Sequence, residues 1–170
     1  MLKQARADKP LFIQGHSMGC MNTQQFLTRN PSIRPAGVIY GAPYFEMPKS
    51  SEVGWVKYMQ ANLIKSIGEE LVINPVLNAP FWVSKCKHYH RKIHTIDGMC
   101  LPIISGGISI SMMDNIRDVN QFASRHTLPT LIFNAGKDKI VDIKGAQDFY
   151  KKIKTPDDMK QSVQFYDCYH

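Results

Sequence analysis

Apolar positions along this chain follow two rhythms. Residues 10 to 14 (PLFIQ) form a short apolar run, the pattern of a strand buried in a parallel sheet. From Met18 to Arg29 the apolar residues Met21, Phe26 and Leu27 fall at helical spacing, until Asn30-Pro31 stops the helix. Residues 36 to 41 (AGVIYG) return to strand character and close at Gly41-Ala42-Pro43. Strand, helix, strand is the βαβ unit of a parallel sheet. The rhythm resumes with a strand at 129 to 133 (PTLIF) and a helix from Ile143 to Ile153 that keeps Ile143, Ala146, Tyr150 and Ile153 on one face. Residues 162 to 167 (SVQFYD) then alternate as a fourth strand. The pattern predicts an α/β fold whose parallel sheet has about four strands.

Between the second and third strands, about eighty residues break this rhythm. Connections in such units usually run to about two to six residues. The predicted organisation is therefore core at 1–43, an inserted helical cap at 44–127, and core again at 128–170. Two apolar stripes at helical spacing lie in the insertion: Val53, Val56, Met59, Leu63, Ile64 and Ile67, then Met112, Ile116, Val119 and Phe122. Each suits packing against the main sheet, and a cap's underside also suits an apolar substrate tunnel.

Where the first strand meets the first helix, the chain reads Gly15-His16-Ser17-Met18-Gly19. Glycines at 15 and 19 leave room for a very sharp strand-to-helix turn with Ser17 at its apex, the arrangement of a nucleophile elbow. An ordinary glycine-rich turn or a phosphate-cradling loop would produce the same five residues. A serine becomes a good nucleophile only with a base in hydrogen-bond reach and an acid to orient that base. In elbow-bearing folds these follow in the order Ser, Asp or Glu, His, at the carboxyl ends of strands. Asp138 follows the third strand in NAGKDKIVD, and His170 follows the fourth in QFYDCYH. The rivals have other roles. Asp142 immediately precedes a helix and suits an N-cap, and His126 precedes a strand instead of following one. His16 adjoins the serine, with its side chain expected to point away from Ser17 Oγ.

The stretches GHSMG, LPTLIFNAGKDKIVDIKGAQDFYKKI and QFYDCYH together resemble the monoacylglycerol lipase family, within the α/β-hydrolases that include lysophospholipases and related serine hydrolases. The resemblance covers residues 9–46 and 128–170, and the cap by position and length. It implies Ser17 as nucleophile, Asp138 as triad acid, His170 as general base and the Met18 backbone N–H as half of an oxyanion hole. It implies hydrolysis of lipid-type acyl esters through an acyl-enzyme, with no metal or organic cofactor. A sibling esterase, thioesterase or lysophospholipase would share that machinery, because a triad specifies acyl transfer and not the leaving group.

The family's fold has several strands before the elbow, whereas about ten residues precede PLFIQ here. The chain is thus expected to be the carboxyl-terminal part of an α/β-hydrolase, without the loop bearing the second oxyanion donor and with residues 10–14 as an exposed edge. The free α-carboxylate on His170 is expected to favour the charged imidazole, which is useless as a base. These departures motivate a reading of another class: a catalytically incompetent fragment or pseudoenzyme serving as a basic membrane- or protein-binding module.

With 44% hydrophobic residues the chain can bury a core, and its net charge of +7 favours anionic partners without choosing among them. Nucleic acid is disfavoured, since charge alone supports it. No apolar run is long enough to span a bilayer, and the first residues lack the apolar core of a secretory signal. The four cysteines, at 20, 86, 100 and 168, show no repeated spacing. Reduced thiols and a cytoplasmic or peripheral-membrane location are expected. In CKHYHRKIH, Cys86, His88, His90 and His94 are metal-ligand types, but the interleaved Lys85, Lys87, Arg91 and Lys92 would repel a dication. The segment reads as a basic cap surface for anionic lipid, with Phe81, Trp82 and Val83 as apolar anchors and no metal.

Overall fold

The computed structural model of the chain describes residues 9–46, 72–75 and 103–170. In chain order the elements are β1 (Phe12–His16), α1 (Met18–Arg29), β2 (Gly37–Gly41), β3 (Val72–Pro75), β4 (Ile103–Ser105), α2 (Gly106–Phe122), β5 (Thr130–Ala135), α3 (Ile143–Lys152) and β6 (Lys160–Phe165). β1, β2, β5 and β6 form a four-stranded sheet in that order, parallel throughout, as the α/β pattern predicts. β3 and β4 pair antiparallel as a separate ribbon, which the sequence reading does not predict.

α1 spans the residues its periodicity predicts, whereas strand bounds shift. β1 is expected to end at Gln14, but it continues through Gly15 and His16, because these pair with Tyr40 and Gly41 of β2. β6 begins at Lys160 and not Ser162, its register set by pairing with Thr130 of β5. The strand order progresses across the sheet without reversal, and right-handed crossovers then place successive helices on one face. That face carries the core: Cys20, Met21 and Leu27 of α1, Val38 and Tyr40 of β2, Ile132 of β5, and Ala146 and Phe149 of α3. The rings of Tyr40, Phe45 and Phe149 meet at its centre, Phe45 and Phe149 with centroids 4.6 Å apart.

α2 joins this core. Val119 is buried within it, Met112 and Ile116 pack against it, and Gln25 Nε2 of α1 donates to Asn115 Oδ1 at 2.6 Å. This part of the expected cap therefore packs as a core helix, its apolar stripe finding partners on α1. The stripe from Val53 to Ile67, the cluster from Cys86 to His94 and residues 81–83 lie outside the described residues. On the opposite face and edge of the sheet, Phe12 of β1 is 57% exposed. It lines an open groove of about 510 Å³ with Ile39, Leu131 and Met159.

A polar network ties the core elements together below the sheet's centre. Gln24 Oε1 accepts from Tyr40 Oη at 2.9 Å and lies 2.9 Å from His126 Nδ1. His126 Nε2 is 2.7 Å from Thr130 Oγ1, which also bonds the Leu128 carbonyl at 2.8 Å. No buried side-chain polar atom among the described residues lacks a partner. Burial outweighs the hydrogen bond that the Leu128 backbone accepts and pushes the His126 pKa down to about 4.

A pH dependence follows from this network. The unfolded chain takes up the His126 proton near pH 6.5, before the folded chain does. Its contribution is therefore intact above that pH, shrinks as pH falls toward 4, and levels off below, at a cost of about 3 kcal/mol. Urea unfolding at pH 7, 5.5 and 4.5 should show this loss. The slope over the same window should flatten in His126→Gln, and an equal slope in that variant would refute the assignment.

Candidate active site

The carboxyl ends of parallel strands share one rim of a sheet, and side chains just beyond them converge there. Ser17 follows β1, Asp138 follows β5 and His170 follows β6. Ser17 has φ 52° and ψ −123°, a left-handed conformation that serine rarely adopts. Backbone bonds hold it there. The Ser17 N–H donates to the Gly41 carbonyl at 2.9 Å, while its own carbonyl accepts from Cys20 at 3.0 Å and Tyr44 at 3.3 Å.

Gly15 makes the turn sterically feasible. A Cβ there would lie 2.7 Å from the Gly19 carbonyl oxygen and 2.8 Å from the Cys20 backbone nitrogen, so any side chain would drive helix from strand. At Gly19, among the described residues, a Cβ would meet nothing within 4 Å. The tight turn thus requires glycine at 15.

Ser17 occupies the N-cap position of α1, where a serine hydroxyl ordinarily bonds a backbone N–H of the first turn. Its hydroxyl makes no such bond. Instead Ser17 Oγ lies 2.7 Å from His170 Nε2, and His170 Nδ1 lies 2.8 Å from Asp138 Oδ2. The structure brings together the three residues singled out from sequence, from positions up to 153 apart, in one hydrogen-bonded line.

The loops beyond β5 and β6 are joined to make this possible. The Lys137 N–H donates to the Cys168 carbonyl at 2.9 Å, the Gly136 N–H to the Phe165 carbonyl at 2.8 Å, and Lys137 Nζ pairs with Asp167. A Cβ at Gly136 would sit 2.7 Å from Tyr166 Cα, so the close approach of the two loops needs glycine there.

Asp138 Oδ1 accepts from the backbone N–H groups of Ile140 at 2.8 Å and Val141 at 3.0 Å, leaving Oδ2 for the histidine. The side chains of Asp138 and His170 are 4% and 8% exposed. Burial alone pushes the Asp138 carboxyl up, but the bonds from His170, Val141 and Ile140 together outweigh it and hold the group below its ordinary range. It is therefore ionised at neutral pH, the state that orients an imidazole by accepting its N–H.

The competing residues have other partners. Asp142 Oδ1 caps α3 by accepting from the Lys144 N–H at 2.9 Å. His126 belongs to the buried network. Cys20, three residues after Ser17, lies under the elbow with its thiol on the Gly41 carbonyl at 3.4 Å, and burial pushes its pKa up to about 12, which makes it inert as a nucleophile. Met18 is the first residue of α1, where a backbone N–H has no partner within the helix and sits at the positive end of its dipole. His16, expected from sequence to point away from Ser17 Oγ, places its ring beside that of His170, centroids 5.1 Å apart. Gly41 stands opposite His16 in the register, and its missing side chain gives the ring its place, a pairing that the sequence carries no signal for.

Solved structures share this architecture. A monoacylglycerol lipase of Paleococcus ferrophilus superposes with a TM-score of 0.77 at 21% identity, over 91% of this chain and 57% of its own. A soluble variant of monoglyceride lipase from Saccharomyces cerevisiae, in complex with a substrate analog, superposes with a TM-score of 0.75 at 19% identity, over 92% of this chain and 52% of its own. An uncharacterized abhydrolase domain-containing protein of Dictyostelium discoideum is 26% identical over 149 residues, 88% of this chain and 16% of that relative. The chain thus spans little more than half the length of these structures and a sixth of that relative. The sheet, its helices and these neighbours establish the α/β-hydrolase fold, and a family model described as serine aminopeptidase S33 (Hydrolase_4) matches residues 1–170 from end to end, so the chain belongs to that family of hydrolases.

Proposed function

We propose that this chain carries the nucleophile, base and acid of a serine hydrolase that cleaves acyl esters of lipid type. The observation that carries the reading is the line from Ser17 Oγ through the His170 ring to Asp138, with the serine hydroxyl withheld from capping its helix. The lipid preference draws on the two lipases among the neighbours and on Met18, an apolar side chain 44% exposed next to the nucleophile.

In this reading His170 Nε2 takes the Ser17 proton as Oγ attacks the ester carbonyl. Negative charge moves to the carbonyl oxygen, where the Met18 N–H donates to it. The tetrahedral adduct collapses, the carbon–oxygen bond to the alcohol breaks, and His170 returns its proton to the departing alkoxide. Water then attacks the acyl-serine with His170 again as base, releasing the acid and restoring Ser17. Asp138 keeps its charge throughout and stabilises the imidazolium. The family's peptidase description makes an amide a rival substrate, because the same steps serve an amine leaving group.

A fluorophosphonate probe should label the chain at Ser17, and Ser17→Ala should abolish labelling; equal labelling of that variant would remove the assignment. Asp138→Asn should slow ester hydrolysis by about 10³ to 10⁴-fold by favouring the wrong imidazole tautomer. A panel of monoacylglycerols, lysophospholipids, thioesters and aminoacyl amides decides among leaving groups, with monoacylglycerols expected to turn over fastest. Lipid contact through the basic segment 85–92 predicts weaker binding to anionic vesicles when Lys85, Lys87 and Lys92 are changed to Glu, read by co-sedimentation.

A further inference from the structure

We propose that His16 is a positioning residue for His170, holding the base's ring in the plane that proton transfer requires. This rests on the acyl-transfer reading above. His170 is held at three points, Nδ1 by Asp138, Nε2 by Ser17 and Cγ by its own Cβ, which together fix the ring plane while both hydrogen bonds stand. When Nε2 exchanges Ser17 Oγ for the leaving oxygen, only the Asp138 bond and the Cβ tether remain, and a ring held at two points can roll about the line joining them. Rolling matters at that moment, because small misalignments of a transfer partner are costly.

The contact that limits rolling comes from His16. Its ring sits beside that of His170 at a centroid distance of 5.1 Å and an interplanar angle of 42°. His16 is solvent-exposed, and the backbone register of β1 sets where its ring starts. It is the last residue of β1, in register with Gly41, and its Nδ1 lies 3.3 Å from where a Cβ on Gly41 would stand. Any side chain at 41 would crowd the ring, so glycine there keeps the His16 position open. Phenylalanine would retain this flat ring contact, which a small or branched aliphatic side chain would not.

The test compares the 170-residue chain with His16→Ala and His16→Phe in hydrolysis of p-nitrophenyl butyrate, after thermal melts confirm folding, with fluorophosphonate labelling of Ser17 measured alongside. The expected result is a kcat about tenfold lower in His16→Ala with KM within about twofold, and recovery to within about threefold of the parent in His16→Phe. If His16→Ala does not fold, His16→Leu is read in its place by the same criteria. A kcat within twofold of the parent in the aliphatic variant overturns the proposal, and so does a phenylalanine variant as slow as the aliphatic one, or a loss confined to KM. Should the parent itself fail to label at Ser17, the acyl-transfer reading falls and this one with it. Labelling of the parent with no effect at residue 16 sinks the positioning role alone.

Discussion

The structure depends on one sharp reversal, the passage from β1 into α1 through a serine held at positive φ. A non-glycine residue in that region costs about 1–3 kcal/mol and persists only where its surroundings over-determine it. Here three pieces of chain do so. Strand β2 accepts the Ser17 N–H, the first turn of α1 and the segment beyond β2 both donate to the Ser17 carbonyl, and Gly15 lets the helix close down on the strand. The result is a hydroxyl raised above the rim and denied the capping bond that would otherwise occupy it. The same reversal drops Cys20 beneath the sheet's edge, where burial keeps its thiol protonated.

The sheet extends this constraint to the other two groups. Because β1, β2, β5 and β6 follow one another without reversal, α1, α2 and α3 share one core face, and every carboxyl end of these strands opens at the same rim. The rim is laced as well as aligned. Ala42, also at positive φ, donates to the Phe133 carbonyl from beyond β2, and the loops after β5 and β6 exchange backbone bonds at Lys137 and Gly136. Asp138 and His170 are brought to Ser17 by backbone hydrogen bonding, so their own side chains are left to one another.

Two histidines show how environment divides one residue type between two tasks. His126 sits among Gln24, Tyr40 and Thr130 in the core, where burial keeps it neutral and its bonds serve cohesion. His170 faces an ionised carboxylate on one side and a hydroxyl on the other, the setting that lets an imidazole accept and return a proton. Spacing from strand ends separated them in the sequence: one precedes β5 and the other follows β6.

Much was legible from local pattern. Periodicity located α1 from Met18 to Arg29, the apolar runs located the strands of the parallel sheet, and the order Ser17, Asp138, His170 at strand ends named the groups that converge. These features depend on neighbours within a turn of helix or a few residues of strand, so the chain by itself determines them. Tertiary structure alone decided the rest. β1 runs on to His16 because β2 offers partners for it, β3 finds β4 across a long sequence gap, α2 joins the core because α1 presents an apolar face, and His16 reaches His170 because residue 41 has no side chain. Each of these is a pairing between distant segments, settled by sheet register and packing, and register is a property of the folded whole that no local stretch encodes.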